Sequence, residues 1–153
     1  MGTRTFTLTA SVDVSSEEAI DFLMQLDSHR GMHPYLQSAT VVRAGSDVDG
    51  PWWDWDVVER PRLGPLRYRI RFPARMSRLA GGAMRGRVRA APGCHLETTT
   101  TAVPVNGRTQ ITENTVVRAP SLLVGYMTKH ARLAHAQTLQ LLPAELRQAH
   151  SGS

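Results

Sequence analysis

SLLVGYMTKHARLAHAQTLQLLPAELRQ, residues 121–148, is the stretch whose reading decides the fold. At roughly 100° per residue, Leu123, Met127, His130, Ala134, Thr138 and Leu141 fall along one line, flanked by Tyr126, Leu133 and Gln137. Lys129, Arg132, Gln140 and Arg147 take the sides and back, so the segment reads as a long amphipathic helix with one buried face. Ser121, after Pro120, offers an N-cap hydroxyl. The buried face carries polar groups (His130, Gln137, Thr138) and little Leu or Ile. A helix of this kind, following a chain that reads mostly as strand, indicates a cavity between helix and sheet.

Working back from the helix, Asn106-Gly107 is a strong two-residue hairpin signal. It pairs Leu96 with Val117, Thr98 with Thr115, Thr100 with Glu113 and Ala102 with Ile111. The inward side of these two strands is therefore partly polar. A turn at Ala91-Pro92-Gly93 sets Glu97 opposite Arg87 and Leu96 opposite Val88, with Arg85, Arg87 and Arg89 on the wet face of the strand MRGRVRA. Before it, Ser77 to Gly82 reads as a loop.

PWWDWDVVER and LRYRIRF form a further hairpin on both of their faces. Trp53, Trp55 and Val57 share one side, Asp54 and Asp56 the other; Leu66, Tyr68, Ile70 and Phe72 oppose Arg67, Arg69 and Arg71. A four-residue loop, Pro61 to Gly64, pairs Asp56 with Arg69, Asp54 with Arg71, Trp55 with Ile70 and Trp53 with Phe72.

At the amino-terminal end, Phe6, Leu8, Ala10 and Val12 alternate with threonines and Ser11 in a half-buried strand. DVSSEEAIDFLMQL then switches period, with Ser15 and Glu18 as a capping box and Ile20, Leu23 and Met24 inward. His29 to Leu36 reads as a short second helix broken at Gly31 and Pro34. Ser38 to Ala44 is a strand, and GSDVDGP a polar loop.

The 153 residues fit one domain, 1–148, with 149–153 as a frayed tail. Hydrophobic residues at 41% and charged residues at 20% describe a globular chain and not a disordered one. No run approaches a membrane span, and MGTRTFTLTASVDV has no apolar signal core, so the expected location is cytoplasmic. The lone Cys94 excludes an internal disulfide and reads as a buried, inert thiol.

The order strand, two short helices, six strands, long helix indicates α+β: a seven-stranded curved antiparallel sheet around the C-terminal helix. With SSEEAIDFL after the first strand, ETTTTAV and TQITENTVVRAP about the hairpin, and LLVGYMTKHARLAHAQTLQLL closing, it resembles the START-related helix-grip superfamily. That group includes the birch-pollen allergen, coenzyme Q-binding proteins and polyketide cyclase/dehydrase-like proteins. The resemblance implies a hydrophobic cavity between sheet and helix for lipids, polyketides, quinones or hormones, and leaves catalysis undecided.

The candidate ligand wall is Trp53, Trp55, Tyr68, Ile70 and Phe72, facing Leu123, Tyr126, Met127, His130 and Ala134, with Leu96, Thr98, Thr100, Glu113 and Thr115 on the adjoining strands and Tyr35 at the entrance. Glu113 is the most informative residue, because an inward carboxylate needs partners or a shifted pKa. It could orient a ligand hydroxyl or act as general base, with His130 and Tyr126 as the other proton-handling groups. Glu59 has a weaker form of the same character.

The expected partner is an apolar small molecule such as a lipid or polyketide, carried or sensed; an aromatase/cyclase-type enzyme using the same cavity is the alternative. No cofactor is called for. His29 with His33, and His130 with His135, lack the geometry and carboxylates of a metal site. The charge of +5 and pI near 10.3 raise a third reading, a basic surface touching membrane or RNA. The arginines are spread along strands and not gathered in one run, so nucleic acid is not expected, and peripheral membrane contact is left open. The sequence sets no oligomeric state.

Overall fold

The computed structural model describes residues 1–151, apart from the side chain of Leu63. Along the chain come β1 (Gly2–Val12), α1 (Ser16–Met24), a 3₁₀ helix (Leu26–Gly31), β2 (Leu36–Asp47), β3 (Gly50–Glu59), the short strands β4 (Arg62–Leu63) and β5 (Leu66–Arg67), β6 (Ile70–Leu79), β7 (Ala83–Ala90), β8 (Cys94–Val105), β9 (Arg108–Ala119) and α2 (Val124–Ser151). Seven strands form one antiparallel sheet in the order β1-β9-β8-β7-β6-β3-β2, while β4 and β5 pair separately. This is the α+β architecture expected, a sheet closed by a long C-terminal helix.

Local chemistry explains most boundaries. Ser15 caps α1, its hydroxyl accepting from the Glu18 amide at 3.1 Å, and Ala19, Ile20, Leu23 and Met24 are buried. Asn106 (φ 52°) and Gly107 (φ 78°) take the left-handed conformations that the tight turn requires. All four β8–β9 pairs expected from that turn are present, as are Arg87–Glu97 and Val88–Leu96 between β7 and β8.

The β3 hairpin is different. Trp55 lies opposite Ala74, Val57 opposite Phe72 and Glu59 opposite Ile70, a shift of four residues from the register that pairs Trp55 with Ile70 and Trp53 with Phe72. The cause is the connection: the expected four-residue loop is instead a small β4–β5 ladder that takes up Leu66 and Arg67. Charge pairing shifts with it. Asp54 accepts from Arg75 and Arg43, and Asp56 from Arg71, so Arg69 is not the partner of Asp56. β6 also continues through Ser77 to Leu79, where a loop was expected, and β2 is longer than Ser38–Ala44. The helix expected over His29 to Leu36 lies earlier, at Leu26–Gly31.

The long helix starts at Val124, three residues later than its sequence pattern suggests. Ser121 is not its cap: the Pro120 carbonyl accepts from the Leu123 and Val124 amides, and the Ser121 hydroxyl accepts from the N-terminal ammonium. At the other end helix continues through Ser151, into the residues expected to fray. Its buried face follows Ala134, Thr138, Leu142 and Leu146 with Leu139 beside them, whereas Leu133 and Leu141 are exposed. From Thr138, a step of four to Leu142 turns about 40° past a full turn, and a step of three to Leu141 falls about 60° short, on the outer side.

α2 lies chiefly along β1, with β9 beside it, and α1 packs on β8, β6 and β7. Two apolar clusters result. The larger joins Ile20, Leu23, Trp55, Met76, Ile111 and Leu142 with their neighbours near α1. The smaller joins Phe6, Cys94, Val117, Ala119 and Val124 near the start of α2. Cys94 is buried, and burial raises its thiol pKa, as expected of an inert cysteine.

Candidate functional site

Between and beside the two clusters runs a band of polar side chains. Strand register places Thr98, Thr100, Glu113 and Thr115 on the inner face of β8 and β9. Thr98 and Thr115 hydroxyls bond each other at 2.9 Å. Glu113, only 7% exposed, contacts His135 of α2, Oε2 to Nδ1 at 3.2 Å. The expected partner, His130, is not in this contact. Its ring lies on Tyr126, with centroids 4.2 Å apart, and beside Tyr35 at 5.8 Å.

His135, which sequence reasoning weighed only beside His130 as a metal ligand, is the helix side chain that meets Glu113. Its place follows from the helix's buried line as packed, which steps back in threes and fours from Leu146 through Leu142 and Leu139 to His135. Phe6 meets its ring edge-on at 5.9 Å. Burial alone would lower the His135 pKa; the hydrogen bond to Glu113 and the charges of Glu113 and Glu59 outweigh it, and the net direction is upward.

A second buried pair borders the first. His33 Nε2 lies 3.3 Å from Glu59 Oε1. The distance suits an ion pair, but desolvation pushes His33 down to about 3 and Glu59 up to about 7. Burial decides, because each group loses water on charging and neither gains enough in return. The Tyr35 amide donates to His33 Nδ1 at 3.2 Å, so the neutral ring carries its proton on Nε2 and donates it to Glu59. His29 sits close by, its Nε2 at 2.9 Å from the Leu23 carbonyl, and burial lowers its pKa.

Two buried polar atoms of this inner face have no hydrogen-bond partner, Thr100 Oγ1 and Trp55 Nε1. Thr100 is fully buried and lies directly opposite Glu113 across the ladder, so its unengaged hydroxyl stands beside the Glu113–His135 pair. Such groups normally find a partner, and each one left without costs about 1–3 kcal/mol.

At the outer end, Tyr68 and Tyr126 hydroxyls meet at 3.0 Å and join the segment after β5 to the first turn of α2. With Tyr35 and His130 they make a rim of rings. Burial lowers the His130 pKa, helped by Lys129, while burial and Tyr126 push Tyr68 up to about 12.

The candidate wall is thus divided. Trp55 and Phe72 belong to the larger core cluster, with Trp53 and Ile70 packed on it; Leu96, Leu123 and Met127 pack on the smaller one. Tyr68 is more exposed than an inward position implies, at 37%. Two open clefts of about 340 and 350 Å³ lie elsewhere, one between β1 and α2 beside Leu8 and Leu139, the other between α1 and the end of α2. Neither is lined by the aromatic set. Among the described residues no three His, Cys, Asp or Glu side chains converge in a metal-binding group.

No protein-family model and no curated protein matches this chain. Solved structures do. The ZhuI aromatase/cyclase of a Streptomyces species superposes with a TM-score of 0.76 at 12% identity, over 96% of this chain and 95% of that one. A protein of Thermus thermophilus gives 0.73 at 15%, over 95% and 99%. A START superfamily protein of Mycobacterium smegmatis gives 0.60 at 14%, over 92% and 99%. At such identities the likeness is one of fold: the chain has the START-related, birch-pollen-allergen-like helix-grip fold.

Proposed function

We propose that the protein binds an apolar small molecule, a lipid, polyketide or similar, between the sheet and the C-terminal helix, as carrier or sensor. The observation that carries this reading is the unengaged Thr100 hydroxyl beside Glu113 and His135, in a polar band flanked by two apolar clusters. Apolar walls with a few convergent polar groups are the usual composition of a small-molecule site. A ligand oxygen reaching Thr100 would remove the cost of leaving that hydroxyl unpaired. The rim of Tyr35, Tyr68, Tyr126 and His130 would cover the ligand's apolar end. Native mass spectrometry of the purified protein, with displacement of an apolar fluorescent probe, tests the reading. A bound hydrophobic mass or saturable displacement supports it; no binding in either assay rejects it.

The Glu113–His135 contact favours a second reading, an enzyme of the aromatase/cyclase kind. Glu113 engages Nδ1 of the imidazole and leaves Nε2 as the nitrogen able to exchange a proton with a substrate. In this reading His135 takes the role first given to His130. ZhuI, named as an aromatase/cyclase, makes a poly-β-ketone chain the first substrate to try. Glu113→Gln and His135→Gln should each abolish turnover and retain probe binding. Unchanged turnover in both variants removes this reading and leaves the first intact.

A further inference from the structure

The positive charge of this protein is unevenly matched over its surface. On the outer face of the sheet five arginines have partners, and among the described residues only Arg89 and Arg118 there do not: Arg43 and Arg75 share Asp54, Arg71 holds Asp56, Arg85 holds Asp49 and Arg87 holds Glu97. The rim is different. Residues 60–69, RPRLGPLRYR, and residues 121–140 together carry six cations and no Asp or Glu. These are Arg60, Arg62, Arg67, Arg69, Lys129 and Arg132. Among the described residues none of the six takes part in an ion pair.

Arg62 faces Arg67 across the β4–β5 ladder. Like charges directly opposite destabilise a strand pair, and an anion laid against them would offset that cost. The Tyr68–Tyr126 hydrogen bond ties this ladder's end to the start of α2, so the two basic stretches adjoin. Among the cations stand Leu66, 66% exposed, and Leu122, 97% exposed. Nucleic acid would engage the arginines and leave both leucines in water. A bilayer offers phosphates at the depth of the guanidinium groups and hydrocarbon just beneath them.

We infer that this rim docks on an anionic lipid bilayer, its arginines on head-group phosphates and Leu66 and Leu122 inserted below them. Co-sedimentation of the full chain with vesicles of phosphatidylcholine alone, and of phosphatidylcholine with phosphatidylserine, is the test. Binding is expected to the anionic vesicles only, and to fall as salt rises. Arg62→Glu with Arg67→Glu should weaken it about 30-fold or more, roughly fivefold for each cation lost. Leu66→Ser with Leu122→Ser should weaken it at all salt concentrations, and it reads the same surface if the double reversal disturbs the small ladder. Arg87→Gln, on the outer sheet face, should change nothing. Failure to bind anionic vesicles overturns the inference. So does an equal loss with Arg87→Gln, or retention by single-stranded RNA without retention by vesicles. None of these outcomes depends on whether the interior holds a ligand.

Discussion

At 3.3 Å, His33 and Glu59 are near enough to form an ion pair, yet burial works against charge on both. The consequence is a stability that depends on pH in two opposed ways. Glu59, raised from 4.5 to about 7, holds its proton more tightly when folded. Its contribution is complete below 4.5 and is lost as pH rises through about 7. His33, lowered from 6.5 to about 3, is the reverse: its contribution is complete above 6.5 and is lost as pH falls toward about 3. Between 4.5 and 6.5 the two slopes cancel. Glu59→Gln removes one of them while its amide oxygen still accepts from His33 Nε2. The variant should therefore gain stability through that window by about 1.4 kcal/mol per pH unit. Near pH 8 it should exceed the parent by up to about 3 kcal/mol. Denaturant unfolding at three pH values reads this, and a variant curve parallel to the parent's would show Glu59 to be solvated. The buried character of Glu113 was legible in the sequence because one turn, Asn106-Gly107, fixes its register. Its partner was not, because a helix places its side chains by packing that comes from distant strands.

Elements differ in how far local sequence controls them. The β8–β9 and β7–β8 pairings follow from turns whose backbone demands are written in two or three residues. The β3–β6 pairing does not: two registers four residues apart preserve the same alternation of apolar and charged faces, so the period of two cannot choose between them. The choice fell to the β4–β5 ladder, a tertiary detail of the connection. That connection also positions Tyr68 on Tyr126 and so latches the rim to α2. Tyr68→Phe keeps the ring and removes the hydroxyl. If ligand passes this way, the variant should bind and release an apolar probe several-fold faster, with affinity changed less than either rate. Stopped-flow measurement of both rates checks it; unaltered rates would place the route elsewhere, such as the cleft between β1 and α2.

Across the whole molecule, the architecture could be read from the order of elements, while the division of the interior into two apolar clusters could not. The division arises because α2 brings Leu139, Leu142 and Leu146 to one end and Val124 and Met127 to the other, leaving His135 between them. A core built only for stability would close that gap with aliphatic side chains. Here the middle holds Glu113, His135 and a threonine whose hydroxyl meets no partner. Thr100→Val separates the two demands, since valine matches threonine in shape and has no hydroxyl to leave unpaired. The free protein should become more stable by about 1 kcal/mol, at the low end of the cost of an unsatisfied buried group. Probe affinity should fall by a comparable free energy, roughly fivefold, if a ligand oxygen bonds that hydroxyl. Thermal unfolding and probe titration of the one variant give both quantities. Stability and affinity moving in opposite directions would mark the hydroxyl as kept for a ligand at a cost to the fold. A loss of stability would instead mean that the hydroxyl is satisfied within the protein, and the reading of this band as a ligand site would lose its support.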